Sequence, residues 1–121
     1  MTRDVFVQDL PQGIRSTEEI PDDFVPSAIG ERAHLISTIK GIAPHAEFAD
    51  PSWGVISKQG SYHIEVNLGG DELVEGFAFH VAGGSEADEL IAQILISLGL
   101  RALDTASDSG LFELVRPSHA P

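Results

Sequence analysis

The feature that most constrains the fold is a change of hydrophobic period in the middle of the chain. From Trp53 to Val81 the apolar residues alternate, in Trp53-Gly54-Val55-Ile56-Ser57, then Tyr62-His63-Ile64-Glu65-Val66-Asn67-Leu68, then Phe77-Ala78-Phe79-His80-Val81. A period of two belongs to strands with one buried face. Beyond them the apolar stripe is Ala87, Leu90, Ile91, Ile94, Leu95 and Leu98, the mixed three- and four-residue spacing of an amphipathic helix. Helices packed on one side would cover the apolar face of such a sheet, so the two patterns fit one fold.

The first hairpin sets the faces of its strands. Gln59-Gly60 has the form of a two-residue hairpin turn, where glycine relieves the positive φ that such a turn demands. With Lys58 opposite Ser61, Val55 pairs with Ile64 and Trp53 with Val66, so Trp53 is expected on the inward, apolar face. The second face then carries Gly54, Ile56, His63, Glu65 and Asn67, and the alternation of Phe77, Phe79 and Val81 adds Ala78 and His80. Two registers stay open for the third strand. Val66 against Phe77 sets His63 opposite His80, whereas Val66 against Phe79 sets Glu65 there. Gly69 to Gly76 read as an acidic loop.

Upstream, Asp4 to Gln8 has the composition of a short strand, broken by Leu10-Pro11-Gln12-Gly13. The stretch from Gly13 to Pro26 is long for a connection in a compact domain. Ser16-Thr17-Glu18-Glu19 has capping-box spacing for one helical turn that Pro21 stops, and Ile14, Ile20, Phe24 and Val25 can anchor the stretch as an ordered flap. A helix follows Pro26-Ser27, with Ile29, Leu35, Ile36, Ile39 and Ile42 on one side and Pro44 as its stop. Asp50-Pro51-Ser52 marks a turn. Downstream, Ser85 is expected to N-cap the second helix and Gly99 to end it in a left-handed conformation. Arg101 to Leu103 and Leu111 to Val115 read as a terminal hairpin, and the tail from about 117 to 121 as frayed. The sum predicts one α+β domain over residues 1–121: a mostly antiparallel sheet with a central three-strand meander, and two main helices packed on one face.

Composition narrows the chemistry. The chain has no cysteine, which removes disulfides, thiolate metal sites and thiol catalysis. Its formal charge is −12 and its seven basic residues are scattered, so nucleic acid is not an expected partner. The greasiest stretch, Leu90 to Leu100, falls well short of the roughly 20 residues of a membrane span, and no membrane partner is expected. Met1 to Asp9 lacks the apolar run and cleavage site of an export signal, which points to the cytoplasm.

Few residues suggest a site. His63, Glu65 and His80 share the second sheet face and are the binding candidates, because neighbouring outward positions on adjacent strands project the same way. A sheet face without helices also carries polar residues as a matter of course. Gly83-Gly84-Ser85 opens a helix as anion-binding turns do, but Glu86, Asp88 and Glu89 crowd the first turn and would repel an anion. Leu103-Asp104-Thr105-Ala106-Ser107 resembles the catalytic loop of aspartic proteases over those five residues. Ala106 stands where that family has glycine, and only fourteen residues follow Ser107 (108–121), so the resemblance does not extend to the fold. No Ser lies in a G-x-S-x-G elbow, and His34, His45 and His119 show no ligand spacing. No catalytic residue, metal or cofactor is assigned.

Phe6 to Pro11 (F-V-Q-D-L-P) and Asp50 to Gly54 (D-P-S-W-G) resemble small bacterial proteins that open with such a strand and carry the second motif before a meander. That resemblance implies a bacterial, cytoplasmic protein and no particular activity. The chain is expected to act without catalysis, through protein–protein contact, with a homodimer as the default because Gly54, Ile56, Ala78 and Ala82 would make a flat second face. One alternative is a small-molecule or metal site, enzymatic in one form, built from His63, Glu65 and His80 under the flap. Another is an acidic inhibitor or immunity protein for a basic partner, with the acidic loops around Glu18 and Asp71 steering the encounter.

Overall fold

A computed structural model of the chain describes residues 2–11 and 13–112. The expected strand at 111–115 lies mostly outside the described residues, and the tail from 117 to 121 wholly so. The protein is an α+β fold. Its main sheet has six strands in the order β3-β4-β5-β7-β1-β8, formed by β1 (Thr2–Gln8), β3 (Glu47–Asp50), β4 (Trp53–Lys58), β5 (Tyr62–Asn67), β7 (Gly76–Gly83) and β8 (Arg101–Asp104). Every pairing in it is antiparallel. A second, two-stranded sheet joins β2 (Gly30–Glu31) to β6 (Leu73–Val74). The helices are α1 (Arg32–Ile42) and α2 (Ser85–Leu98). Among the described residues no helix is long and apolar enough to cross a membrane.

Both helices cover one side of the sheet. The core joins Leu35 and Ile39 of α1 and Ile91, Ile94 and Leu95 of α2 to the inward residues of the strands, among them Val5, Ile56, Ile64, Val66 and Phe79, all fully buried. The chain's first strand lies near the centre of the sheet, between β7 and β8, which explains why Val5 and Val7 are as buried as any meander residue. As expected, α2 ends at Gly99 in the left-handed region (φ 68°), and Leu100 N–H reaches back to Leu95 O at 3.0 Å. The expected terminal hairpin is seen at its start, where Leu111 bridges Leu103 and Phe112 N–H donates to Ala102 O.

Four expectations are corrected. The β4–β5 loop contains three residues rather than two: Lys58 pairs with Tyr62, Ser61 N–H donates to Lys58 O at 2.9 Å, and Gly60 takes the left-handed position at φ 81°. One residue of slip exchanges the faces of a strand. Trp53 therefore pairs with Asn67 and Val55 with Glu65 on the outward side, while Gly54 and Ile56 turn into the core. The cause is β3, which ends at the Asp50-Pro51-Ser52 turn and whose first three residues carry no strand signal of their own. Its Phe48 lies so close over Gly54 that a Cβ there would stand 2.3 Å from the ring. Second, the first helix starts at Arg32, because residues 29–32 hydrogen-bond to 72–74 instead: Ile29 N–H donates to Val74 O (2.8 Å) and Arg32 N–H to Glu72 O (2.7 Å). Third, part of the expected acidic loop is consequently strand β6. Fourth, Ser85 is the first residue of α2 and Gly84 occupies the cap position, with no side-chain cap bond.

The flap is ordered at the β8 side of the molecule. Leu10, Ile14 and Leu111 form a second small core with Ile20, Phe24 and Leu103. The expected helical turn is a 3-10 turn, Thr17–Glu19, in which Ser16 Oγ accepts from Glu18 N–H and Glu19 Oε2 accepts from Arg15 N–H, each at 3.0 Å. Thr17 N–H donates to Ser109 O (3.0 Å) and the Arg101 guanidinium to Ile14 O (2.6 Å), so backbone bonds as well as packing hold it.

Candidate functional site

The helix-free face of the sheet collects the polar and aromatic side chains that the core rejects, and its register arranges them in rows. Of the two registers open for the third strand, the structure has Val66 opposite Phe79, which sets Glu65 beside His80. One row across the strands runs Glu47, Val55, Glu65, His80, Asp4. The next runs Trp53, Asn67, Ala78, Phe6, Leu103. His63 belongs to a third row, opposite Ser57 and Ala82.

The three sequence candidates thus share one face, and each has a specific partner. His80 Nδ1 lies 2.7 Å from Asp4 Oδ1, a residue of β1 that the sequence reading did not select, although Asp4, Phe6 and Gln8 alternate with Val5 and Val7. The Trp53 indole stacks on the His80 ring, 5.7 Å between centroids and 23° between planes. His63 Nε2 is 3.4 Å from Glu65 Oε2. An imidazole held by a carboxylate is a unit that can relay a proton, but among the described residues neither imidazole is bonded to a hydroxyl that it could activate. No group of three or more His, Asp or Glu side chains among the described residues could hold a metal ion.

The second row is the more distinctive. Trp53 is 39% exposed and Phe6 38%, whereas Ala78 between them is only 8% exposed, because larger side chains rise on either side of it. The row is a trough. At its Phe6 end opens a cavity of about 350 Å³ whose lining presents Phe6, Gln8, Asn67, Gly69, Gly76 and Ala78 and carries no charged side chain. Asn67 Oδ1 accepts from Gly69 N–H (3.2 Å), which orients the amide and leaves its NH2 group as the donor end.

The D-P-S-W-G motif now has a physical account. Asp50 Oδ1 accepts from Ser52 N–H (2.8 Å) and Ser52 Oγ (2.7 Å), closing the turn between β3 and β4. These bonds, the backbone one first, hold the Asp50 carboxyl below its ordinary pKa, with Arg32 adding a smaller effect. The turn delivers Trp53 to the open face, and Gly54 leaves room for Phe48 on the other.

Two remaining candidates prove structural. Asp104 of the protease-like loop is 5% exposed; it pairs with Arg3 (Nη1 to Oδ2, 3.1 Å) and caps the Ala106 N–H at 2.9 Å. Arg3 also pairs with Asp88 of α2, so one guanidinium joins β1, α2 and β8. At the Gly83-Gly84-Ser85 turn, a Cβ on Gly83 would meet Tyr62 Cβ at 2.7 Å, and Glu86 is spent on Lys58 at 3.0 Å. His45 Nε2 lies 2.9 Å from the Tyr62 hydroxyl, away from the rows described.

A separate hollow of about 740 Å³ lies between the start of α1, β6 and the β3–β4 turn. Ala33, Ile36, Pro51 and Leu73 give it an apolar floor and Glu31, Arg32 and Glu72 a charged rim. Comparison with known proteins finds no matching family model, no matching curated protein and no matching solved structure.

Proposed function

We propose that this is a non-enzymatic binding protein whose working surface is the helix-free face of the sheet. The observation that supports it is the pair Trp53 and Phe6, two large aromatic side chains left more than a third exposed on one cross-strand row. Aromatic residues with an exposed face are common anchors of recognition surfaces. The setting we propose is cytoplasmic, since a chain without cysteine draws nothing from an oxidising compartment. Another copy of the chain is the first partner to test. Light scattering coupled to size exclusion at micromolar concentration should show a dimer that Trp53→Ala or Phe6→Ala dissociates. A monomer throughout would remove the homodimer, and a dimer indifferent to both substitutions would remove this face from the contact.

A second reading is favoured by the hollow beside α1. Leu73, 57% exposed on its floor, sits between Glu72 and the facing Glu31. An apolar floor with two carboxylates and one guanidinium, Arg32, on its rim fits a basic protein segment, the partner class that the net charge of −12 attracts. A pull-down at two ionic strengths tests it: a basic partner lost on Leu73→Glu and weakened by salt supports the reading, and a partner unaffected by either counts against it.

A further inference from the structure

We infer that the trough between Trp53 and Phe6 is a site for a neutral saccharide. This rests on the open face being the working surface, and it names the ligand class.

Three observations converge. The first is charge. In a protein of net charge −12, the cavity at the Phe6 end has no charged side chain in its lining. A site for an anion would present a cation, and one for a cation would use the carboxylates that abound elsewhere on this surface. The cavity end of the trough therefore selects a neutral group, because a charged one would be desolvated there without a partner, while the Glu65, His80 and Asp4 row borders the Trp53 end. The second is the pairing of ring and amide. Phe6 offers an apolar face, while Asn67 and Gln8 offer side-chain amides, which donate and accept through neighbouring atoms. A pyranose has the complementary form, with C–H groups on its flat face and hydroxyls, each donor and acceptor, around its edge. The third is length. Trp53 and Phe6 lie three strand intervals apart across Asn67 and Ala78. At ~4.8 Å per interval, the rings are roughly 14 Å apart, a span for a short oligosaccharide rather than one sugar. Ala78 between them is small enough to let the ligand lie down. The cavity volume of about 350 Å³ falls in the lower part of the range of small-ligand sites.

The test is a 15N–1H NMR titration of the full chain with glucose, maltose, cellobiose and N,N′-diacetylchitobiose, each to about 50 mM, which detects Kd values in the millimolar range. The expected result is a saturable shift with at least one disaccharide, centred on the side-chain amides of Asn67 and Gln8 and on the Trp53 indole N–H. Phe6→Ala should weaken that binding by about tenfold, the loss of one stacked ring. Asn67→Asp, which keeps an acceptor for Gly69 and replaces the NH2 donor with a carboxylate, should weaken it at least as much. Both residues lie on the open face, and an unchanged spectrum elsewhere shows that the variants fold. No saturable shift with any of the four sugars, or shifts centred away from this row, would overturn the inference. Because a dimer through this face would cover the trough, the titration is made at a concentration where light scattering shows monomer. No sugar response there overturns the saccharide, a dimer formed at higher concentration and broken by Trp53→Ala still keeps the face, and no dimer with no sugar response counts against both.

Discussion

Single residues carry more of this structure than their number suggests, and Gly54 is the clearest. Its missing side chain is filled by the Phe48 ring, so Gly54→Ala should cost about 1–3 kcal/mol, as overpacking in a close-packed interior does. In a Phe48→Ala background the same substitution should cost much less, and a double-mutant cycle by urea denaturation reads the coupling; additive losses would mean that the ring does not hold the register. Arg3 offers a second comparison. Asp104 is nearly fully buried, whereas the Asp88 side chain is 42% exposed. Asp104→Ala, which takes away the buried partner of the guanidinium and frees the Ala106 N–H, should cost about 2–3 kcal/mol. Asp88→Ala should cost under about 1 kcal/mol, because water replaces the lost partner. Equal losses would contradict the view that Asp104 is the anchor. The aspartate of a protease-like loop is thereby accounted for by burial and pairing.

At the scale of the element, the β4–β5 hairpin decides what the open face is made of. Trp53 is the chain's one tryptophan, so its fluorescence reports the register directly. With the indole outward, its emission should be that of a partly solvated ring and acrylamide should quench it; a blue-shifted, protected emission would restore the inward register. Gly60→Ala should cost about 1 kcal/mol, since φ 81° favours glycine. The hairpin is also tied to α2 through Lys58 and Glu86. Lys58, with the Ser61 hydroxyl, holds the Glu86 carboxyl below its ordinary value of 4.5, and the bond to Glu86 raises the Lys58 ammonium above 10.5. A lowered acid stabilises the fold above its unfolded value and loses that contribution as pH falls through the folded one. A raised base contributes fully below its unfolded value and loses it as pH rises through the folded one. The stability difference between the native chain and Lys58→Met should therefore be level through neutral pH and shrink at both extremes, with a small amplitude because both groups are exposed. Thermal unfolding against pH measures it, and a difference that grows on acidification would contradict the pairing.

For the whole molecule, the sequence by itself determined the α+β class, the central meander, the stripe and left-handed end of α2, and the gathering of His63, Glu65 and His80 on one face. These follow from periods and from glycine stereochemistry, which are local and survive any packing. It did not determine the face of β4, because Trp53-Gly54-Val55-Ile56 has apolar residues at both parities and either side can be buried. That tie was broken from outside the segment, by Phe48 of a four-residue edge strand. Nor did it show that β1 would lie between β7 and β8, which brought Asp4 to His80 and Phe6 to the end of the Trp53 row. Residues 76 positions apart in the chain meet there. The candidate site was half legible for the same reason: its strand-borne polar residues obey a period that can be read along the chain, while its partners and its trough come from non-local pairing, which only the tertiary structure decides.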